Sequence, residues 1–492
     1  MTITPAAKTT KTLIRRGFQL FGSVLAGLTL SVHSEAQTTL HPTLPPSISS
    51  ALSAAHIPQG AVAMSVQRLD QAQPALSFRA SQPMLPASTI KLLTTYAALD
   101  LLGPAYTWRT EIRGVGSHAN GVYKGTLYIK GGGDPQLTQE AFWLMLRQLR
   151  ARGIRDIRGD IVLDHSLFSP AAFDPSAFDG KPIRAYNVGP DALILSWKAL
   201  QLRITPDAIN RRVVIWSQPE PTNIQLDNRL QLVDGPCGAW RDRVSQRIDG
   251  SSKPARLVLE GSFPVTCGEK SWSLSVLDHD QFVAGVFANL WEGQGGSFSG
   301  IVRSGTTPSE AEVLSWNESP PLAQTIRDIN KWSNNVMARQ LLLTLGTTRK
   351  PQGVSEQDGI TAIREWMQRR GLAKEEVALE NGSGLSRREI WTANGMQALL
   401  RDAWKNPLMP EYLSSLPVYG TDGTFRSRDG APAVRGRAHL KGGTLDGVSA
   451  LGGYVLDRKG RMWGVSFMVN HANAEHCHPV QDVLLRWIDE QP

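Results

Sequence analysis

The sequence predicts a mixed α/β fold. An antiparallel sheet flanked by helices is built from both ends of the chain, and a large β-rich insertion interrupts it. Three observations predict this. Residues 61–67 (AVAMSVQ) and 75–79 (ALSFR) read as a strand pair, and an apolar-striped helix follows them. Residues 437–445, 448–456 and 462–470 read as three further strands, and a helix at 480–488 closes the chain. Between about Tyr106 and Asp278, short strand-like runs recur with Gly, Asp and Pro between them.

The elements follow in order. Lys8, Lys11, Arg15 and Arg16 precede an uncharged run at 17–32, and Ser34-Glu35-Ala36 offers small residues at a cleavage site. This is the layout of a cleaved secretory signal peptide over 1–36, and it implies export to the periplasm. A run this short falls below the ~20 apolar residues that a spanning helix needs, so at most peripheral membrane contact is expected. Residues 38–50 are a Pro/Thr/Ser-rich connecting segment. In the helix that follows the first two strands, Ile90, Leu93, Ala97 and Leu101 form one stripe, which Gly103-Pro104 ends. A helix at 138–152 interrupts the β-rich block. Helices are then expected at 280–292, 321–331, 335–345, 354–370 and 393–405, and Asp457-Arg-Lys-Gly460 turns between the last two strands. The resulting domains are 37–105 with 279–492 as a discontinuous unit, and 106–278 as one or two inserted domains.

Composition excludes several classes. The 492 residues are 41% hydrophobic and 20% charged, which is globular rather than disordered. The net charge of +8 is spread along the chain with no basic block, so no nucleic-acid arm is expected. No Gly-rich stretch carries the Lys-Ser/Thr of a phosphate loop. In an exported protein, Cys237 and Cys267 are a candidate disulfide, in PCGAW and VTCGE. Cys477 is left over among His471, His476 and His478, but the spacing fits no standard zinc pattern, so no metal is expected.

The chemistry-bearing stretches are scattered. LPASTIKLL puts Ser88 three residues before Lys91 at a helix start, where Ser is either a cap or a nucleophile with a base beside it. For Lys91 to act as that base its pKa must fall, through burial or a second cation. KWSNNVMA holds Ser333 and Asn335 between two helices, where both are also ordinary caps. AHLKGGTLDG sets Lys441 on a strand with Gly442 and Gly443 after it, marking a bulge or a close approach by another backbone or a ligand.

The order Ser-x-x-Lys, Ser-x-Asn, Lys-x-Gly resembles that of the penicillin-binding proteins and serine β-lactamases. Nearly half the chain separates Ser88 from Ser333. That long gap is similar to the D-alanyl-D-alanine carboxypeptidase/endopeptidase family of the penicillin-binding protein 4 type, which carries a large insertion there. LYIKGGGDPQLT, YNVGPDAL, ENGSGLSR and LPVYGTDGT also look like that family. The resemblance implies a transpeptidase-like fold and a serine DD-peptidase acting on peptidoglycan stem peptides. It implies β-lactams as covalent inhibitors, and no cofactor. By the same resemblance Ser88 is acylated, Lys91 takes its proton, Ser333 and Lys441 pass a proton to the leaving amine, and Asn335 holds the peptide backbone. Lys441 lies near the terminal carboxylate, and the N–H groups of Ser88 and Thr444 form the oxyanion hole. Asp179 matches a segment that in some members binds the amino end of a diaminopimelate side chain; as FDG it is equally a turn aspartate. Asp134, Ser383 and Ser386 read as turn chemistry. One departure stands out: Gly442 replaces the threonine of Lys-Thr-Gly, removing a hydroxyl that helps hold the carboxylate. Two other readings remain open, a serine β-lactamase or esterase on this scaffold and a weakened wall-binding homologue.

Overall fold

In the strand Val62–Arg68, Val62, Met64 and Val66 enter one apolar core while Ala63 enters another. The strand Met462–Asn470 repeats this: Trp463, Val465, Phe467 and Val469 face the first core and Met468 the second. A period of two with both sides apolar demands helices on both faces of a sheet, and the computed structural model has them. It describes residues 43–250, 254–373 and 377–492; the expected signal peptide over 1–36 lies outside the described residues.

The sheet is antiparallel, in the order Ala438–Leu445, Val448–Leu456, Met462–Asn470, Val62–Arg68, Leu76–Phe78. Its strands come from both ends of the chain, as the sequence predicts. One face packs on the helices Pro46–Ala54 and His478–Asp489 through Ile48, Leu52, Leu484 and Ile488. The other packs on a larger group that includes Lys91–Leu102, Leu322–Trp332, Asn335–Gly346, Glu356–Arg369 and Ala393–Lys405. The helix Pro46–Ala54 begins inside the stretch 38–50 that the sequence predicts to be a connecting segment. Its proline sits in the first turn, where no backbone N–H is needed, and Ile48 and Leu52 are one turn apart.

The insertion pairs Arg109–Ala119 with Val122–Lys130, and adds two three-stranded sheets from residues 200–274. One continuous apolar core joins them. The expected boundary at 278/279 is too early. The helix His279–Gly293 puts Phe282, Val286 and Trp291 into this core, and Glu312–Glu318 pairs antiparallel with Arg109–Ala119. Residues 279–318 therefore belong with the insertion; the sequence marks an amphipathic helix but not which core it covers. The candidate disulfide forms between Cys237 and Cys267, with Cα atoms 4.7 Å apart. Cys477 is a free, fully buried core residue, and burial pushes its thiol up to about 12. Among the described residues no helix is long and apolar enough to cross a membrane.

Candidate active site

Ser88 lies in a single 3-10 turn, Ala87–Ile90, that runs into the helix starting at Lys91. It caps nothing: the helix has Ile90 at its N-cap position, with no side-chain cap bond. The turn is held under constraint. Ala87 has φ +45°, a conformation costly for a residue with a Cβ. Two glycines let neighbouring backbone close on it. A Cβ at Gly384 would meet the Ala87 carbonyl oxygen at 2.1 Å, and one at Gly443 would meet the Pro86 carbonyl oxygen at 2.7 Å. The nucleophile candidate is thus clasped between the loop at 380–388 and the strand Ala438–Leu445.

Lys91 is fully buried beneath this turn. Its Nζ lies 3.0 Å from Ser88 Oγ and 2.7 Å from Asn335 Oδ1, and it also donates to the Ser383 carbonyl. Burial is the main influence on its pKa, and Lys441 and Arg339 add to it. Together they outweigh Glu389 and hold the amine well below its ordinary value. This meets the requirement stated from the sequence. Glu389 is itself buried, and its carboxylate accepts the N–H groups of Glu380, Asn381, Gly382 and Gly384. It thereby shapes the loop that turns the Ser383 carbonyl toward Lys91. Sequence reading missed this; a lone Glu after a Gly/Ser loop carries no distinguishing signal. Ser383 was read as turn chemistry. Its hydroxyl does serve the turn, donating to Asn381 Oδ1 at 2.6 Å, but its carbonyl belongs to the site.

The Ser333–Asn335 stretch divides its tasks. Asn334 is the cap, accepting the Met337 N–H at 3.1 Å. Ser333 ends the preceding helix at φ +56°. Its hydroxyl oxygen accepts from Lys441 Nζ at 2.9 Å. Asn335 begins the next helix with its amide on Lys91. The cap is thus Asn334, while its neighbours Ser333 and Asn335 turn their side chains to Lys441 and Lys91. Lys441 also donates to the Gly442 carbonyl at 2.7 Å, and burial lowers its pKa to about 7.

Ser88, Ser333, Gly442, Gly443 and Thr444 line one cavity of about 320 Å³, with Thr424 and Phe425 on its wall. The strand Ala438–Leu445 is a sheet edge. Its first half is covered: Tyr419 N–H donates to Ala438 O and Leu440 N–H to Pro417 O. Its second half borders the cavity, so an extended peptide can lie along it. At Gly442 a Cβ would sit 3.3 Å from the Phe425 ring. The residue that departs from Lys-Thr-Gly thus faces an aromatic wall.

Asp179 is not brought into this cavity. Its carboxylate accepts from the Tyr186 hydroxyl (2.7 Å), Asn187 Nδ2 (2.8 Å) and the Lys181 N–H (3.1 Å). Partial burial alone would raise its pKa, but the Tyr186 and Asn187 bonds outweigh that and keep it low. The loop is still near the site. The neighbouring Phe178 stacks on Arg387, which donates to the Asp446 carbonyl in the turn after Thr444.

A buried low-pKa lysine touching a serine, with a second lysine–serine pair across a cavity at a sheet edge, is an arrangement for serine acyl transfer. Comparison with known proteins agrees. The chain is 29% identical over 396 residues to a D-alanyl-D-alanine carboxypeptidase of Actinomadura sp. (strain R39), covering 77% of this chain and 72% of that one. It is 25% identical over 407 residues to the D-alanyl-D-alanine carboxypeptidase DacB of Haemophilus influenzae, covering 82% and 84%. Its fold matches the crystal structure of penicillin-binding protein 4 (DacB) from H. influenzae with a TM-score of 0.75 at 22% identity, over 90% of this chain and 99% of that one. The pattern of one family extends over residues 44–491, nearly all of the described chain, and this protein belongs to that family, the D-Ala-D-Ala carboxypeptidase 3 (S13) family.

Proposed function

We propose that the protein is an exported serine DD-peptidase that trims terminal D-alanine from peptidoglycan stem peptides, cuts D-Ala-containing cross-links, or does both, through an acyl-enzyme on Ser88. The carrying observation is Lys91 Nζ at 3.0 Å from Ser88 Oγ, buried and held well below an ordinary lysine. Neutral Lys91 accepts the Ser88 proton as Oγ bonds to the carbonyl carbon of the penultimate D-alanine. The N–H groups of Ser88 and Thr444 receive the oxyanion. Collapse breaks the C–N bond, and the proton on Lys91 passes to the leaving amine by way of the Ser333 hydroxyl, which Lys441 supports at 2.9 Å, leaving Lys91 neutral again. Water then attacks the ester carbonyl carbon, Lys91 takes a water proton, and as the C–O bond to Ser88 breaks that proton passes to Ser88 Oγ. Asn335 aligns the peptide strand along Gly443 and Thr444, and Lys441 draws the terminal carboxylate toward Gly442. Asp179 would pair with an ammonium group on the substrate's third residue. Because the H. influenzae neighbour also has a structure complexed with a β-lactam, β-lactams are expected to acylate Ser88.

Fluorescent penicillin tests this. The purified protein should carry a stable label on a denaturing gel, and Ser88→Ala should carry none. An unlabelled wild-type protein would sink the covalent mechanism. Release of hydrolysed penicillin without a stable band would identify a β-lactamase instead.

A further inference from the structure

Ser333 ends its helix at φ +56°, a conformation that costs energy in a residue with a Cβ. Such a turn persists only where its surroundings over-determine it. The neighbouring Trp332 is exposed and does not supply the hold. Two residues back from Ser333, Lys331 is 5% exposed, and its Nζ lies 2.6 Å from Asp422 Oδ2. Next to it the buried Asn330 donates to Thr95 Oγ1 at 3.2 Å and to Ser415 Oγ at 2.9 Å. Thr95 in turn donates to the Lys91 carbonyl at 2.6 Å. Asn330 therefore ties the last turn of this helix to the helix of Lys91, and Lys331 ties it to Asp422.

Asp422 belongs to the stretch 417–425, which brings Thr424 and Phe425 to the wall of the active-site cavity. Its other carboxylate oxygen accepts the Val418 N–H at 2.7 Å, closing the loop on itself. Gly423 lets the loop approach closely: a Cβ there would meet the Lys331 carbonyl oxygen at 2.7 Å. The loop also lies against the strand Ala438–Leu445, where the Pro417 carbonyl accepts the Leu440 N–H at 2.8 Å. Leu440 precedes Lys441, whose Nζ donates to Ser333 Oγ. These contacts form a ring. It runs from Ser333 through Lys441, the strand and the loop to Asp422, and the Lys331–Asp422 pair closes it.

A buried ion pair contributes little stability beyond apolar residues of the same volume. What this one adds is direction, because a compact ammonium meets the carboxylate at one place. Neither residue lines the cavity, so neither touches the substrate.

We propose that Lys331 and Asp422 are positioning residues for Ser333, a clasp that sets its hydroxyl where it passes a proton to the leaving group. The proposal rests on the DD-peptidase reading and assigns two further residues to that reaction.

The test varies the leaving group. An amide needs a proton on its departing nitrogen, whereas a thioester releases a thiolate without one. Diacetyl-L-Lys-D-Ala-D-Ala is compared with the thioester in which D-2-mercaptopropionate replaces the last D-alanine. Both are read as kcat/KM, which reports acylation. Lys331→Met breaks the pair without burying an unpaired charge, since the Asp422 side chain is 35% exposed. It should lower kcat/KM about 10- to 100-fold for the amide and less than about threefold for the thioester. Asp422→Asn should shift the ratio in the same direction. In a Ser333→Ala background, Lys331→Met should cost the amide less than about twofold more, because the group it positions is gone. The ratio of two substrates within one variant cancels any general loss of fold. Equal losses on both substrates overturn the clasp, as does a full additional loss in the Ser333→Ala background. A wild-type protein that hydrolyses neither substrate overturns the DD-peptidase reading, and the clasp with it.

Discussion

Restoring threonine at position 442 should not by itself restore a stronger carboxylate site. A hydrogen bond to a charged group is worth about 1.5–3 kcal/mol, or about 10- to 150-fold in acylation. The structure sets a cost of similar size against it. A Cβ at Gly442 lies 3.3 and 3.4 Å from two Phe425 ring carbons, and threonine adds two further atoms. The ring has little room to yield. It is 4% exposed, packed beside Tyr419 at 6.3 Å and under the Arg428 guanidinium at 5.6 Å. Crowding of this kind costs about 1–3 kcal/mol. Gly442→Thr alone should therefore change the rate by less than about threefold, while Gly442→Thr with Phe425→Leu should gain about tenfold or more. Stopped-flow acylation by a fluorescent penicillin, together with D-alanine release, reads both variants. A tenfold gain from Gly442→Thr alone would show that Phe425 is no obstacle. No gain in the double variant would show that the missing hydroxyl does not limit carboxylate binding.

The remaining predictions concern the lysines and the disulfide. The pH profile of kcat/KM should rise on the acid side as Lys91 loses its proton, well below an ordinary lysine, and fall above about 7 as Lys441 loses the charge proposed to draw the substrate carboxylate. Lys441→Arg should move the falling limb to high pH; an unchanged profile would assign that limb to another group. Lys441 also costs stability. Its pKa is about 7 when folded and 10.5 when unfolded, so the unfolded chain binds more protons between those values and stability rises with pH across that window. Lys441→Met should stabilise the protein at pH 7 by about 1–3 kcal/mol, with the gain shrinking toward pH 10 in thermal melts. Reducing Cys237–Cys267, which closes a separation of 30 residues, should remove up to about 3–4 kcal/mol from the insertion. Since that bond lies in the inserted core, penicillin labelling at low temperature should persist.

Much of this was legible in the chain. Period-two strands, striped helices and the Gly103 stop located the catalytic sheet at both ends of the sequence, because alternation and helical period are local properties. The site triplets were legible by type and order, and the two cysteines by their context. Less was legible where one residue type serves two purposes. Asn334 and Asn335 have the same side chain, yet one caps the helix and the other meets Lys91. Neither pattern nor propensity distinguishes them, since the choice depends on a lysine 244 residues away.

The sequence by itself determined the Ser88–Lys91 spacing, the sheet's composition from two chain ends and the departure at Gly442. Tertiary structure alone decided what burial and distant contacts decide: the lowered lysines, the Ser383 carbonyl on Lys91, the Glu389 anchor and the Phe425 wall. It also decided that 279–318 join the insertion. Spacing along a helix or strand is fixed by local geometry, whereas desolvation and charge depend on groups brought together from remote parts of the chain.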